Sequence, residues 1–455
     1  KKKAAKRRGT GQMDKADTFL NCYFCIVVCW NCGCGCYQQT RSRSYRNMPF
    51  AVIGGNLFYF LLQAETINSM DISYIINELG EEREQYFNAV APPIIQTSNF
   101  TFNKVDDMRK LFDDEYSGYI YSRGLNPTID ILRKKLAALD EAEDCLVFNS
   151  GASAIFASVL ANVKAGDHIV SVERPYTWAQ KLFNVILPRF GVTTTYVDGT
   201  QIENFERAIL PNTSVIYLES PNSWGFALQD LEAVADLAKA QGIVTICDNS
   251  YCTPLYQKPI AMGIDIALQS ATKYIGGHSD VVAGVLTGSR QMMAKIFNSE
   301  YLTAGIGISP FNAWLLIRGL RTLPIRLQKV TENTKVVLSF LKTHPKVEAV
   351  LFPHDESFPQ YALAKQQMQG ACGLLSFYLT ADKIEEIVKF CESLKHILMA
   401  VSWGGYESLI IPGCASVAPE AYDITQKPQR MLRLYVGQEE PAYIIKDLEQ
   451  ALNNT

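Results

Sequence analysis

The sequence predicts an α/β protein with a mostly parallel sheet in a large domain, followed by a smaller α+β domain. Three observations predict it. From about Asp130 to Gln269, short apolar runs alternate with helical stretches of the size that strand–helix–strand units need. The residues that follow these apolar runs are chemically rich, and parallel sheets bind ligands at the carboxyl ends of their strands. Past a long helical stretch ending near His344, four more strand patterns and two helices form a second group.

Taken in order, "TIDILRKKLAALDEAE" places Ile129, Leu132, Leu136 and Leu139 on one helical stripe. "CLVFNS" is a short apolar strand, and "GASAIFASVLANVKAG" a small-residue helix closed by Gly166. "DHIVSVE" is a strand, "YTWAQKLFNVILPRFG" a helix, "TTTYVD" a strand and "NFERAIL" a helix. "SVIYLES", "IVTICDNS" and "IALQ" are strands, with the helix "LQDLEAVADLAKAQG" between the first two. "NAWLLIRGLRTLPIRLQKVTENTKVVLSFLKTH" is the linking helix. In the second group "VEAVLF", "GLLSFYL", "ILMAVSW" and "RMLRLYVG" are strands, while "ADKIEEIVKFCESL" and "EPAYIIKDLEQAL" are helices. The domains are therefore expected at 130–325 and 326–455, with residues 70–129 as an N-terminal arm.

A length of 455 residues suits two or three domains. With 48% hydrophobic and 20% charged residues, the chain can bury a large core. A net charge of -3 offers no case for a nucleic-acid or membrane partner. That average hides an uneven start: residues 1–69 hold ten Lys/Arg against three acids, so they carry +7 and the remainder -10. Six of the twelve cysteines fall between Cys22 and Cys36; the other six are scattered singly, as reduced cytosolic thiols are. Three readings of residues 1–69 are open. The apolar run Phe19–Trp30 is too short to cross a bilayer and no cleavage site follows it. Cys22/Cys25 and Cys29/Cys32 have metal-knuckle spacing, but the gap between the pairs is too tight for a usual zinc site. The expectation is the third, an extension that is not part of the functional protein, which then begins near Met70.

The loops after the strands carry the chemistry. "NSGAS" opens a helix, whose N–H groups and dipole suit a phosphate, and Gly151 permits close approach; a plain serine N-cap would look the same. Asp248 ends a strand, where it could hold a protonated ring nitrogen or merely cap a turn. Tyr176 could stack on a flat ring or pack on the core. Lys273, in "SATKYIGGHSD", could form a Schiff base with a carbonyl or remain a solvated lysine. Its neighbours Ser270 and Thr272 are phosphate-donor types, and Gly276–Gly277 admits backbone approach. Together these groups suit one cofactor, pyridoxal phosphate.

"SATKYIGGHSD" closely resembles the cofactor-lysine motif of the Cys/Met-metabolism, or trans-sulfuration, enzymes. "YSRG" at 121–124, "SGASAI" at 150–155, "ESP" at 219–221, "DNS" at 248–250, "GLRTLPIRL" at 319–327, "SWGGYESL" at 402–409 and "RLYVG" at 433–437 follow the family's order. The resemblance covers roughly residues 85–455 and implies the fold type I architecture of pyridoxal-phosphate enzymes, with a seven-stranded sheet. It implies that Lys273 binds the cofactor covalently, Asp248 holds the pyridinium with Ser250 beside it, and Tyr176 stacks on the ring. Gly151, Ala152, Ser270 and Thr272 would bind the phosphate. Tyr121 and Arg123 would reach it from a neighbouring subunit, making a homo-oligomer of shared sites, at least a dimer and expected as a tetramer. Arg433 would grip the substrate carboxylate, and Ser402 and Trp403 would line the pocket. No metal enters this site.

Departures from the family pattern refine the expected reaction. Ser223 stands where many members have an asparagine near the ring oxygen. Trp403 replaces a common leucine and looks like the bacterial cystathionine β-lyase branch. Tyr176 is followed by Thr177 and Trp178, unlike methionine γ-lyases. The expectation is a cytoplasmic enzyme of methionine biosynthesis that β-eliminates cystathionine or a related cysteine thioether. Its rivals are γ-synthase or γ-lyase chemistry on the same site, and, more remotely, a non-catalytic protein that keeps the fold.

Overall fold

The computed structural model describes residues 70–454. Residues 1–69, with their cysteine cluster, lie outside the described residues. The first sheet has seven strands: β1 (Asp144–Phe148), β2 (His168–Val172), β3 (Thr193–Val197), β4 (Thr213–Glu219), β5 (Val244–Asp248), β6 (Ile266–Gln269) and β7 (Gly284–Gly288). Their order is β1-β7-β6-β5-β4-β2-β3. The pairs β2/β3, β2/β4, β4/β5 and β5/β6 are parallel; β7 runs antiparallel to both β1 and β6. Six strands therefore share one direction. The ends of β1, β2, β4, β5 and β6 fall on one edge, and the five polar loops expected to carry the chemistry leave from there.

In this sheet, the strand without a sequence signal is β7. "GVLTG" has only three apolar or β-branched residues between glycines, so no period stands out. Packing explains those glycines: a Cβ on Gly284 would collide with the Ser150 carbonyl, and one on Gly288 would lie 2.6 Å from the Asp265 carbonyl oxygen. All five β7 residues are buried. The stretch "YTWAQKLFNVILPRFG" also differs from one regular helix. It runs as a short α-helix (Thr177–Lys181), a π turn (Leu182–Ile186) and a 3-10 turn (Leu187–Phe190), ended by Gly191 at φ 74°. Pro188 has no N–H to continue the α ladder, which accounts for the change of pitch.

Helix Pro310–Thr343 links to the second sheet; Ser309 caps it by accepting from Asn312 N–H. Pro324 lies inside this helix without ending it. Leu316, Leu320, Leu323, Leu327 and Val330 are all buried along it. Burying a stripe of leucines at roughly 1.5–3 kcal/mol each outweighs the roughly 3 kcal/mol that an internal proline costs.

The second sheet comprises β8 (Val347–Leu351), β9 (Leu374–Leu379), β10 (Leu398–Met399), β11 (Leu409–Pro412) and β12 (Met431–Tyr435), in the order β10-β11-β12-β9-β8. The expected strand "ILMAVSW" pairs over two residues only, because the chain turns at Ser402 with φ 84°. Strand β11 is an addition to the sequence reading. Among the described residues, no helix is long and apolar enough to cross a membrane.

Candidate active site

The loops after β1, β4, β5 and β6 and the turn after β10 converge around Lys273. Lys273 is half-buried, and its Nζ donates to Ser402 Oγ at 2.7 Å. Its amine also sits 5.5 Å from the centre of the Trp403 ring. Burial, and then the nearby Arg433 charge, push its pKa down to about 8, with Asp248 opposing. A far larger share of this amine is therefore neutral near physiological pH than in an exposed lysine, as a nucleophile or base requires.

Ser402 owes its place to backbone geometry. Its φ of 84° is left-handed, which a serine adopts only when surroundings impose it. Gly404, at φ 89°, lies so close to the lysine segment that a Cβ would fall 2.8 Å from Tyr274 N and 2.9 Å from the Lys273 Cα. Trp403 packs on Tyr274, with ring centres 5.4 Å apart, and is 7% exposed. The turn 402–404 is thus pressed onto the backbone of the lysine loop.

Asp248 ends β5 beside Glu219, its register partner at the end of β4. Both carboxyls are buried. Burial raises the Asp248 pKa, while bonds from Ser250 and the Lys273 charge lower it in part. Burial and then the Asp248 charge raise Glu219. Glu219 compensates by accepting Tyr176 N–H at 2.6 Å and Ser223 N–H at 2.7 Å. Asp248 Oδ1 accepts Ser250 N–H at 2.9 Å, and among the described residues the bonds that hold this carboxyl come from Ser250 alone. A buried carboxylate with an oxygen to spare suits a cationic N–H ligand.

Ser150 Oγ accepts Ser153 N–H at 3.0 Å and caps helix Gly151–Leu160. As the first helical residues, Gly151 and Ala152 keep N–H groups with no partner one turn back. A Cβ on Gly151 would sit 3.1 Å from Ser270 Oγ, so glycine keeps open the space that both flank. Ser250 Oγ accepts Ser270 N–H at 2.7 Å and binds the β5 and β6 loops together. Thr272 stands apart from this set: its hydroxyl donates to the Ala283 carbonyl at 3.2 Å and accepts Ala283 N–H at 3.0 Å. It holds its own loop, and its proton is engaged there.

Tyr176 is 42% exposed at the site's rim, with a phenol raised by burial and then by the Asp248 and Glu219 charges. Arg433, on β12, is 8% exposed; its Nη1 donates to the Ser223 carbonyl at 2.9 Å. Tyr121 and Arg123 are exposed and pair with each other, guanidinium to ring centre 5.5 Å. Among the described residues, neither is hydrogen-bonded to the residues around Lys273.

Three residues matter beyond the expected set. Glu219 lies within the quoted "ESP", yet its partners are backbone amides that no pattern exposes. Arg326 lies within "GLRTLPIRL" and donates to the Tyr274 carbonyl at 2.7 Å and the Gly319 carbonyl at 2.8 Å, clamping the lysine loop from behind. Trp224 lies under Arg433, 4.7 Å from ring centre to guanidinium carbon. Among the described residues, no group of three or more His, Cys, Asp and Glu could hold a metal ion.

The lysine amine, the spare carboxylate oxygen, the rim tyrosine and the open helix N-terminus fit a planar, phosphorylated, carbonyl-bearing cofactor. Comparison with known proteins agrees. The family model described as Cys/Met metabolism PLP-dependent enzyme matches residues 74–453. The L-methionine gamma-lyase of Treponema denticola is 38% identical over 374 residues, which cover 81% of this chain and 93% of that protein. The cystathionine gamma-lyase of Bacillus subtilis is 36% identical, over 82% of this chain and 96% of that protein. The crystal structure of metB from Corynebacterium glutamicum aligns with a TM-score of 0.78 at 33% identity, covering 85% of this chain and 99% of that one.

Proposed function

The chain belongs to the Cys/Met-metabolism family of pyridoxal-phosphate-dependent enzymes, and from that premise we propose that it is a carbon–sulfur lyase acting by β-elimination. Its substrate would be cystathionine or a related cysteine thioether, cleaved with water to homocysteine, pyruvate and ammonia. Pyridoxal phosphate, when bound, withdraws electrons from the bonds at the substrate's Cα. The other tasks fall to this chain. Lys273 would hold the cofactor and, as a free amine, would take the Cα proton. Arg433 grips the α-carboxylate and turns the Cα–H bond toward the lysine. Positioning of this kind is worth several kcal/mol, about 7–11 at best. Tyr176, whose raised pKa keeps its proton in place, or the protonated Lys273, then protonates the departing sulfur.

The observation that carries the β reading is the lysine's single seat. Lys273 is tied to Ser402 at 2.7 Å and backed by the Trp403 ring at 5.5 Å. β-Elimination asks for one deprotonation, at Cα, whereas γ-chemistry needs a second at Cβ and a base able to travel there. A second reading, γ-elimination, is favoured by the names of the relatives from Treponema denticola and Bacillus subtilis, which are γ-lyases. Cystathionine decides between them: β-elimination yields pyruvate and γ-elimination 2-oxobutyrate. If 2-oxobutyrate is the main product, the β assignment fails. A separate check concerns the lysine itself. The purified protein should be yellow, with a band that borohydride bleaches, and Lys273→Ala should lose that band and at least about a thousandfold in activity.

A further inference from the structure

Arg433 and Ser376 face each other across the β12–β9 ladder. Both side chains reach out of the small sheet to one loop of the large sheet. Arg433 Nη1 donates to the Ser223 carbonyl at 2.9 Å, and Ser376 Oγ donates to the Trp224 carbonyl at 2.8 Å. The loop is braced from its own side as well: Ser223 N–H donates to Glu219 at 2.7 Å, and Trp224 N–H donates to Asn222 Oδ1 at 3.2 Å. Its position relative to β12 is therefore set at several points.

The Trp224 ring lies within reach of the Arg433 guanidinium, 4.7 Å from its centre. At that distance the ring's negative face attracts a cation, and the attraction grows when water is excluded. Arg433 is 8% exposed, so water competes little. Its Nε–H is buried and meets no acceptor among the described residues. A buried donor without an acceptor is costly, and a ligand carboxylate can relieve it.

We propose that Trp224 is a positioning residue for Arg433, its ring holding the guanidinium, together with the Ser223 carbonyl, aimed for the substrate carboxylate. This rests on Arg433 as the carboxylate-binding group. It assigns Trp224 a part in affinity and none in proton transfer. Losing the ring face should weaken carboxylate binding roughly tenfold, equivalent to about 1.4 kcal/mol.

The test titrates the visible band of the holoenzyme with L-alanine and with ethylamine, the same amine without a carboxylate. Trp224→Leu should raise the Kd for L-alanine about tenfold and leave that for ethylamine unchanged, and Trp224→Phe should recover most of the loss. Equal weakening for both ligands marks a merely structural role and overturns the proposal; so does no weakening for either. Arg433→Ala tests the underlying assignment separately, because it should erase the preference for L-alanine. If it does while Trp224→Leu has no effect, only the role of Trp224 falls. If Trp224→Leu fails to fold, fluorinated tryptophans placed at position 224 keep the shape and weaken the ring face. L-Alanine affinity should then drop stepwise with fluorine number, and a flat series overturns the proposal.

Discussion

Lys273 stands between opposing influences. Burial and Arg433 disfavour its ammonium form and Asp248 favours it, leaving a pKa of about 8 against an ordinary 10.5. The sign follows directly: the neutral amine is abundant above about pH 8, where an exposed lysine is still charged. Cofactor-free protein should therefore capture pyridoxal phosphate faster as pH rises from about 6, with the rate levelling off above about 8. Stopped-flow absorbance at the cofactor band measures this, and a rate still climbing steeply at pH 10 would mean an unperturbed lysine. Lys273, Asp248 and Arg433 stand out in sequence as candidates because the chemistry proposed for them resides in the side chain itself. Glu219 and Trp224 are not, because each acts on a group supplied by another element.

Among the elements, β6, β7 and the end of helix Pro127–Leu139 enclose a carboxyl to which no cation of the described residues is bonded. Asp140 Oδ2 accepts Thr287 Oγ1 at 2.7 Å and Gln269 Nε2 at 3.0 Å, while Oδ1 meets no partner among the described residues. Burial raises its pKa from 3.8 to about 7. The folded state then keeps a proton that the unfolded chain has already lost. Stability should fall as pH rises between about 4 and about 7, by the linkage of proton binding to folding. Asp140→Asn keeps an acceptor for Thr287 and Gln269 and removes the charge. It should flatten this slope and raise stability above pH 7 by about 1–3 kcal/mol, the scale of an unpartnered buried polar group. Melting at pH 5 and pH 8 checks it; an equal change at both values would point to packing instead. Strands β1 to β6 are legible as apolar or, in β3, threonine-rich β-branched runs. Strand β7 is hidden because its glycines answer to neighbouring backbone, which local period does not record.

On the scale of the whole molecule, Tyr121 and Arg123 lie exposed and unattached to the residues around their own Lys273. A site completed by a second copy makes a specific prediction. Arg123→Ala and Lys273→Ala should each be nearly inactive alone. Refolded together in equal amounts, they should regain about a quarter of the wild-type activity, since half of random dimers are hybrids with one intact site. No recovery, in mixtures shown to contain hybrids, would place Arg123 outside the site. Within one chain, too, the site is assembled from distant elements. Arg433 and Ser376 tie the small sheet to the β4 loop, and Arg326 clamps the lysine loop from the linking helix.

The sequence alone determined the strand-and-helix alternation, the edge where the loops gather and, through the family's motifs, the cofactor, because periodicity and side-chain chemistry act within a few residues. Only the tertiary structure decided which distant groups meet there. Ser402 bonds to Lys273 across 129 positions of sequence, and Arg433 to Ser223 across 210. Such pairings depend on how two sheets pack and on a serine held at φ 84°. These arise from the close packing of the folded whole, and no local pattern encodes them.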